Sequence, residues 1–173
     1  KISGSIKSES RSYVPGVSVA LTGQSESDML TASDGLYEFL VPAESAVTIT
    51  PSKNNDGIPS NGTSTFDIIL IRKHILGNQS LSSPYKIIAA DVNQSASVAS
   101  SDIVLIRAVI LGNNSTFPNN KLWAFVNSDY AFSNPLNPFP YENKRTYAAV
   151  NSEMTDQNFI GMKMGDVNNS WDP

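Results

Sequence analysis

The sequence predicts a mixed, mainly β fold carrying one pair of helices. Three observations point to it. Both ends of the chain alternate apolar and polar residues with period two, a twelve-residue apolar segment occurs twice in the middle, and no apolar run approaches the ~20 residues of a membrane span. With 173 residues the chain is long enough for a real core, and its 40% hydrophobic content supplies one. Only 16% is charged and the net charge is −4, so nothing in the sequence neutralises a run of phosphates and nucleic acid is excluded as a partner. There is no cysteine, hence no disulfide framework and no thiol chemistry. No signal peptide opens the chain, and Lys1-Ile2-Ser3-Gly4 already reads as a strand, so a piece of a longer protein is expected.

Residues 1–51 carry the first β signal. Ile2–Ile6, Val17–Leu21, Tyr37–Val41 and Val47–Thr50 alternate, and Pro15-Gly16, Thr22-Gly23 and Ser33-Asp34-Gly35 supply turns between them. Within this region, Gly16-Val17-Ser18-Val19-Ala20-Leu21-Thr22-Gly23 followed by Ala32-Ser33-Asp34-Gly35-Leu36-Tyr37-Glu38-Phe39 resembles the carboxypeptidase-regulatory-like or collagen-adhesin B-type domain. That resemblance implies a transthyretin/Ig-like β-sandwich. Such sandwiches need more chain than residues 1–51 contain. Residues 114–173 return to strand-like segments at Leu122–Val126, Thr146–Val150 and Phe159–Met164, and these are expected to complete the sandwich. The proline-rich stretch Asn134–Pro140 between them suits neither helix nor sheet interior.

Residues 52–113 hold the repeat. Asp67-Ile68-Ile69-Leu70-Ile71-Arg72-Lys73-His74-Ile75-Leu76-Gly77-Asn78 recurs 35 residues later as Asp102-Ile103-Val104-Leu105-Ile106-Arg107-Ala108-Val109-Ile110-Leu111-Gly112-Asn113. Each copy predicts a short helix closed by glycine just past its last turn. A helix apolar around most of its circumference has to be buried, and the twin copy is the expected partner.

The residues ahead of each helix carry the chemistry. In the second copy Asp91, Asn93, Ser95 and Asp102 stand at positions 1, 3, 5 and 12 of a twelve-residue loop, with Ser97 at position 7 offering a carbonyl. Alternate residues of such a loop point inward and the last ligand enters from the following helix, an arrangement that wraps calcium in oxygens. Asp at position 12 is one methylene shorter than the usual Glu, and Ala96 stands where glycine normally eases the turn. Counting back from Asp67 in the first copy places Asp56 at position 1, Ile58 at position 3 and Ser60 at position 5. Ile58 has no ligating atom, so Asn54 and Asn61 are the candidates to compensate. Asp166-Val167-Asn168-Asn169-Ser170 repeats the opening of the second loop without a helix after it; Asp166 and Asn168 are either extra ligands or part of a surface turn. Oxygen-rich clusters also make helix caps and turns without any metal. That reading accounts for one such loop better than for two in register.

Asp91-Val92-Asn93 together with Ser100–Gly112 resembles a dockerin repeat, and residues 67–77 resemble its twin. The resemblance implies about two bound calcium ions, folding that depends on them, and docking onto a cohesin-like protein partner. The matching docking positions fall on Thr65, Phe66, Arg72 and Lys73 in one copy and on Ser100, Ser101, Arg107 and Ala108 in the other. These sets differ, so two equivalent docking orientations are not expected. The resemblance further implies a bacterial, secreted or cell-surface parent protein, in a setting of polysaccharide degradation where neighbouring domains contact carbohydrate. A calcium-rigidified spacer in an adhesin-like protein is one alternative. A carbohydrate-binding module using Trp123, Tyr130, Phe132, Phe139 and Tyr141 is another. Catalysis is not expected: His74 is the only histidine, and no nucleophile with a base or patterned carboxylate pair stands out.

Overall fold

The computed structural model describes residues 1–173. The elements follow the order β1 (Ile2–Ser8), β2 (Ser18–Gly23), β3 (Ser27–Leu30), β4 (Leu36–Phe39), β5 (Val47–Ser52), α1 (Thr65–Ile75), α2 (Pro84–Ala90), α3 (Ser100–Ile110), β6 (Trp123–Asn127), β7 (Arg145–Tyr147) and β8 (Phe159–Lys163). The fold is mixed, with two four-stranded sheets and three helices. Neighbours run β4-β1-β8-β6 in one sheet and β3-β2-β5-β7 in the other.

Period-two alternation decides which side chains enter the core. Ile2, Ile6, Tyr37, Phe39 and Phe159 from the first sheet join Val19, Leu21, Val47 and Ile49 from the second in one buried apolar cluster. Strand β6 is buried at every position and β8 at nearly all, because α2 lies against their other face. Both sheets mix the two ends of the chain. β8 runs parallel to β1, with Ile6 opposite Phe159, and antiparallel to β6; β7 pairs antiparallel with β5, with Ile49 opposite Arg145. The helical segment therefore lies between strands of shared sheets.

Three differences from the sequence expectation have physical reasons. Of the expected strand Thr146–Val150 only Thr146 and Tyr147 pair as strand, in β7, which begins one residue earlier at Arg145; Val150 is held separately, donating its N–H to the Ser45 carbonyl at 3.1 Å. β3 carries no sequence signal, since Ser27-Asp28-Met29-Leu30 does not alternate and all four residues are exposed on a short edge. α2 is only seven residues long, too short for a periodicity signal, though the Ser83 cap followed by Pro84 marks its start.

Helices α1 and α3 pack on each other through Ile71 and Ile106, both fully buried and equivalent in the repeat. Each ends at a left-handed glycine, Gly77 (φ 70°) and Gly112 (φ 72°). The N–H of Asn78 reaches the Lys73 carbonyl and that of Asn113 the Ala108 carbonyl, both at 2.9 Å, which satisfies the last turns. His74 accepts the Leu81 N–H on Nδ1 at 3.2 Å, a packing role. No helix is long and apolar enough to cross a membrane.

Candidate metal centre

The two repeated helices start alike. Asp67 and Asp102 stand at the third helical position, where one carboxylate oxygen reaches back to the cap: Asp67 Oδ2 accepts from Ser64 N at 2.8 Å and Asp102 Oδ2 from Ala99 N at 2.9 Å. The other oxygen of Asp102 faces the loop that enters α3, whereas that of Asp67 faces a distant segment.

The loop ahead of α3 gathers all five residues expected there. Asp91 Oδ1 accepts the Ser95 N–H and Oδ2 the Ala96 N–H, both at 2.9 Å. Asn93 Oδ1 also accepts the Ser95 N–H at 2.9 Å. Ser95 Oγ lies 3.1 Å from the Ser97 carbonyl, and Asp102 Oδ1 accepts the Asn93 N–H at 3.2 Å. The turn is made by Gln94 and Ala96 at φ 59° and 61°. A Cβ in that left-handed region costs roughly 1–2 kcal/mol, so Ala96 carries the strain expected of a residue standing in for glycine.

The loop counted back from Asp67 does not form, and this corrects the ligand set. Asp56 is committed elsewhere: Oδ2 meets Lys163 Nζ at 2.7 Å and accepts the Trp123 indole N–H at 2.8 Å, while Oδ1 lies 3.2 Å from Lys53 Nζ. With two ammonium groups beside it, this carboxylate already has its counter-charge and is a structural ion pair. Asn54 Oδ1 accepts the Leu122 N–H at 2.9 Å, and the Asn61 amide donates to the Asp172 carbonyl at 2.7 Å. Ser60 takes part through its carbonyl, which accepts from Thr63 N at 2.8 Å. Ile58 points to solvent.

Asp67 instead faces the end of the chain. Its Oδ1 accepts the Val167 N–H at 2.9 Å. Beside it, Asp166 accepts from Asn168 N (3.1 Å), Ser170 N (3.2 Å) and Trp171 N (2.8 Å), and Ser170 Oγ donates to the Gly62 carbonyl at 2.9 Å. Asn168 Oδ1 is buried and has no hydrogen-bond partner.

Four carboxylates are thus buried in two pairs. Asp67 and Asp102 are 0% exposed, Asp91 3% and Asp166 5%. None of the four has an ion-pair partner; the chain's ion pairs use Glu38, Asp56, Asp129 and Glu153. Burial pushes the Asp102 carboxyl above its ordinary range and the Asp91 charge adds to that, against the N–H donors of Ala99 and Asn93. Burial likewise pushes Asp166 up, with the Asp67 charge adding, against the N–H groups of Trp171 and Ser170.

No three acidic, imidazole or thiol side chains converge anywhere in the chain. Each pair of carboxylates is completed only by amide, hydroxyl and carbonyl oxygens. That all-oxygen set with two negative charges suits calcium and disfavours softer transition metals.

The docking positions inferred from the repeat lie on the outside of the helix pair. Thr65, Phe66, Arg72, Lys73, Ser100, Ser101 and Arg107 are exposed and Ala108 is half-buried. Ile69, Leu76, Val104 and Leu111 stand exposed beside them. The aromatic platform is broken up: Trp123 is buried, with its ring edge-on to Trp171 at 4.7 Å. Tyr85, Phe132 and Tyr130 form an edge-to-face cluster. Phe139 and Tyr141 line an open groove beside Asp91, and burial pushes the Tyr141 hydroxyl up to about 12.

No protein-family model, curated protein or solved structure matches the chain.

Proposed function

We propose that this chain is a calcium-dependent protein-interaction or anchoring module of a larger secreted or cell-surface bacterial protein, docking onto a cohesin-like partner. In this reading the two sheets form a transthyretin/Ig-like sandwich and α1 with α3 a dockerin-like unit. The observation that carries it is the placement of buried carboxylate pairs, without counter-cations, at the starts of the two repeated helices. Asp91, Asn93, Ser95, the Ser97 carbonyl and Asp102 would hold one ion. Calcium bound there neutralises both carboxylates and fixes the start of α3, so that binding free energy becomes folding free energy.

The exposed apolar residues favour docking over a passive spacer. Ile69 and Leu76 recur as Val104 (66% exposed) and Leu111 in the second copy, and Phe66 (54%) stands beside them in the first, where a solvated surface has no use for them. A partner covering them gains roughly 25 cal/mol per Å² of apolar area removed from water.

The test is binding of immobilised cohesin-type domains in millimolar calcium against chelator. Retention in calcium alone is expected, with loss of binding and an unchanged melting temperature in F66E/V104E. A chain that takes up calcium but binds none of the domains is the spacer; one that takes up no calcium ends the reading.

A further inference from the structure

We propose that Asp166, Asn168 and Ser170, together with the Gly62 carbonyl and Asp67, form a second calcium site, a loop split between two distant segments of the chain. The proposal rests on the calcium reading of the 91–102 loop and extends it to a site that no continuous stretch of sequence contains.

The continuous loop gives the template. Its first three ligand positions, Asp91, Asn93 and Ser95, match Asp166, Asn168 and Ser170 in residue type and spacing. The backbone agrees. Asp91 takes the N–H groups of Ser95 and Ala96 on its two oxygens, and Asp166 takes those of Ser170 and Trp171. The residue before each serine is left-handed, Gln94 at φ 59° and Asn169 at φ 60°. The second half of the loop comes from before α1. Gly62 precedes Asp67 by the same five positions that separate Ser97 from Asp102. The hydroxyl contact crosses the gap as it does within the continuous loop: Ser95 Oγ is 3.1 Å from the Ser97 carbonyl and Ser170 Oγ is 2.9 Å from the Gly62 carbonyl. The carboxylate that closes each loop accepts a backbone N–H from the opening half, Asn93 for Asp102 and Val167 for Asp67, one residue apart in register.

Two further observations point to a ligand. Asn168 Oδ1 is buried with no donor, whereas its counterpart Asn93 Oδ1 accepts the Ser95 N–H. A buried acceptor beside two buried carboxylates is stabilised by a cation and by no neutral neighbour present. Gly62 is required by the crossing itself: at φ +79° a Cβ would lie 2.7 Å from Trp171 Cα, so the two segments meet only because one residue has no side chain. Donors of this kind, all oxygen and carrying two charges, select a hard divalent cation.

The consequence is a calcium-controlled clasp. Residues 166–171 follow β8 after only Met164 and Gly165, so an ion shared with Asp67 ties the last strand of the sheet to the first turn of α1.

Asn168→Ala in the whole chain is the test, because Oδ1 accepts no hydrogen bond within the protein. Calorimetric titration with calcium, together with tryptophan fluorescence reporting on Trp171, gives the readout. Wild type is expected to bind two ions. In N168A one event weakens by at least about tenfold, the scale of loss seen even for outer-shell partners of a metal, while the chelated melting temperature is unchanged. D91N weakens the other event and leaves the Trp171 response in place. Asn168→Asp, which adds a ligand charge, is expected to lower the chelated melting temperature and enlarge the rise on adding calcium. One ion per chain, abolished by D91N and untouched by N168A, overturns the split site and leaves the calcium reading standing. No calcium uptake by wild type overturns both.

Discussion

Replacing Asp56 with alanine separates a structural carboxylate from a ligand. Asp56 holds three donors at once: Lys163 Nζ at 2.7 Å, the Trp123 indole N–H at 2.8 Å and Lys53 Nζ at 3.2 Å. The Lys163 side chain is 1% exposed, so removing its partner strands an ammonium group in the interior. Breaking a buried pair in this way costs about 3–5 kcal/mol. For a chain of this size each kcal/mol moves the melting temperature by roughly 2–4 °C, so D56A is expected to melt about 6–20 °C lower. Lys53 keeps Asn55 Oδ1 as an acceptor at 2.7 Å, which makes Lys163 the main source of the loss. The double variant D56A/K163M removes the stranded charge and should recover most of the stability, less about 1–3 kcal/mol for the unpaired indole N–H. Melts run in chelator and in calcium decide the matter. The stabilisation gained on adding calcium should be the same in D56A as in wild type. A D56A variant that loses as much of that gain as D91N would show Asp56 to be a ligand, and a drop in stability under 1 kcal/mol would refute the ion-pair argument.

Other perturbations check neighbouring parts of the structure. Burial alone would push the Asp56 carboxyl up, but the hydrogen bond and charge of Lys163, with Trp123 and Lys53, more than offset it and hold the group below its ordinary value. A depressed carboxylate contributes stability that is present above its unfolded value, about 3.9, and lost as pH falls through the folded one. The stability gap between wild type and D56A, from urea melts in chelator, should therefore narrow below about pH 4; a gap constant down to pH 2.5 refutes the assignment. Gly62→Ala meets the Trp171 backbone at 2.7 Å, whereas Gly77→Ala, also left-handed, meets nothing within 4 Å. Gly77→Ala should cost only the roughly 1–2 kcal/mol of a left-handed Cβ. Gly62→Ala should cost about 1–3 kcal/mol more for the overlap and alter the Trp171 fluorescence, and equal losses in the two variants would argue against the close crossing.

Much of the fold is legible where the signal is local. The repeat of Asp67–Asn78 as Asp102–Asn113 places both helices to within two residues of α1 (Thr65–Ile75) and α3 (Ser100–Ile110). The oxygens of Asp91, Asn93, Ser95 and Asp102 are close in sequence, so counting along the chain brings them together. The partner of Asp67 is not local. Counting back assumes that a loop is continuous, and that assumption selects Asp56, a residue whose charge is taken by Lys163, 107 positions away. The available clue was the recurrence of Asp-Val-Asn at 91–93 and 166–168, which marks the opening of a loop but does not say which helix completes it. β3 and α2 escaped for a different reason, since four exposed residues and seven helical ones are too few to show a period.

Closing a loop across the sequence carries an entropic cost that a continuous one avoids. Bringing Val167 to Asp67 spans 100 residues, against twelve for the loop ahead of α3. Loop-closure entropy grows only logarithmically, so the extra cost is about 2 kcal/mol. The sheet meets that cost before any ion binds. Lys7 and Ser8 of β1 sit in register with Ile160 and Gly161 of β8, so the last strand is already anchored to the start of the chain. Gly165 N then donates to the Ala89 carbonyl at 2.8 Å, which fixes the exit of β8 against α2. From there Asp166 and Val167 reach Asp67 with no long segment left to order. The buried pair of Asp67 and Asp166 is therefore formed by the strand pairing, and under the proposed calcium reading the folded sheet itself is the element that would present both like charges to a divalent cation.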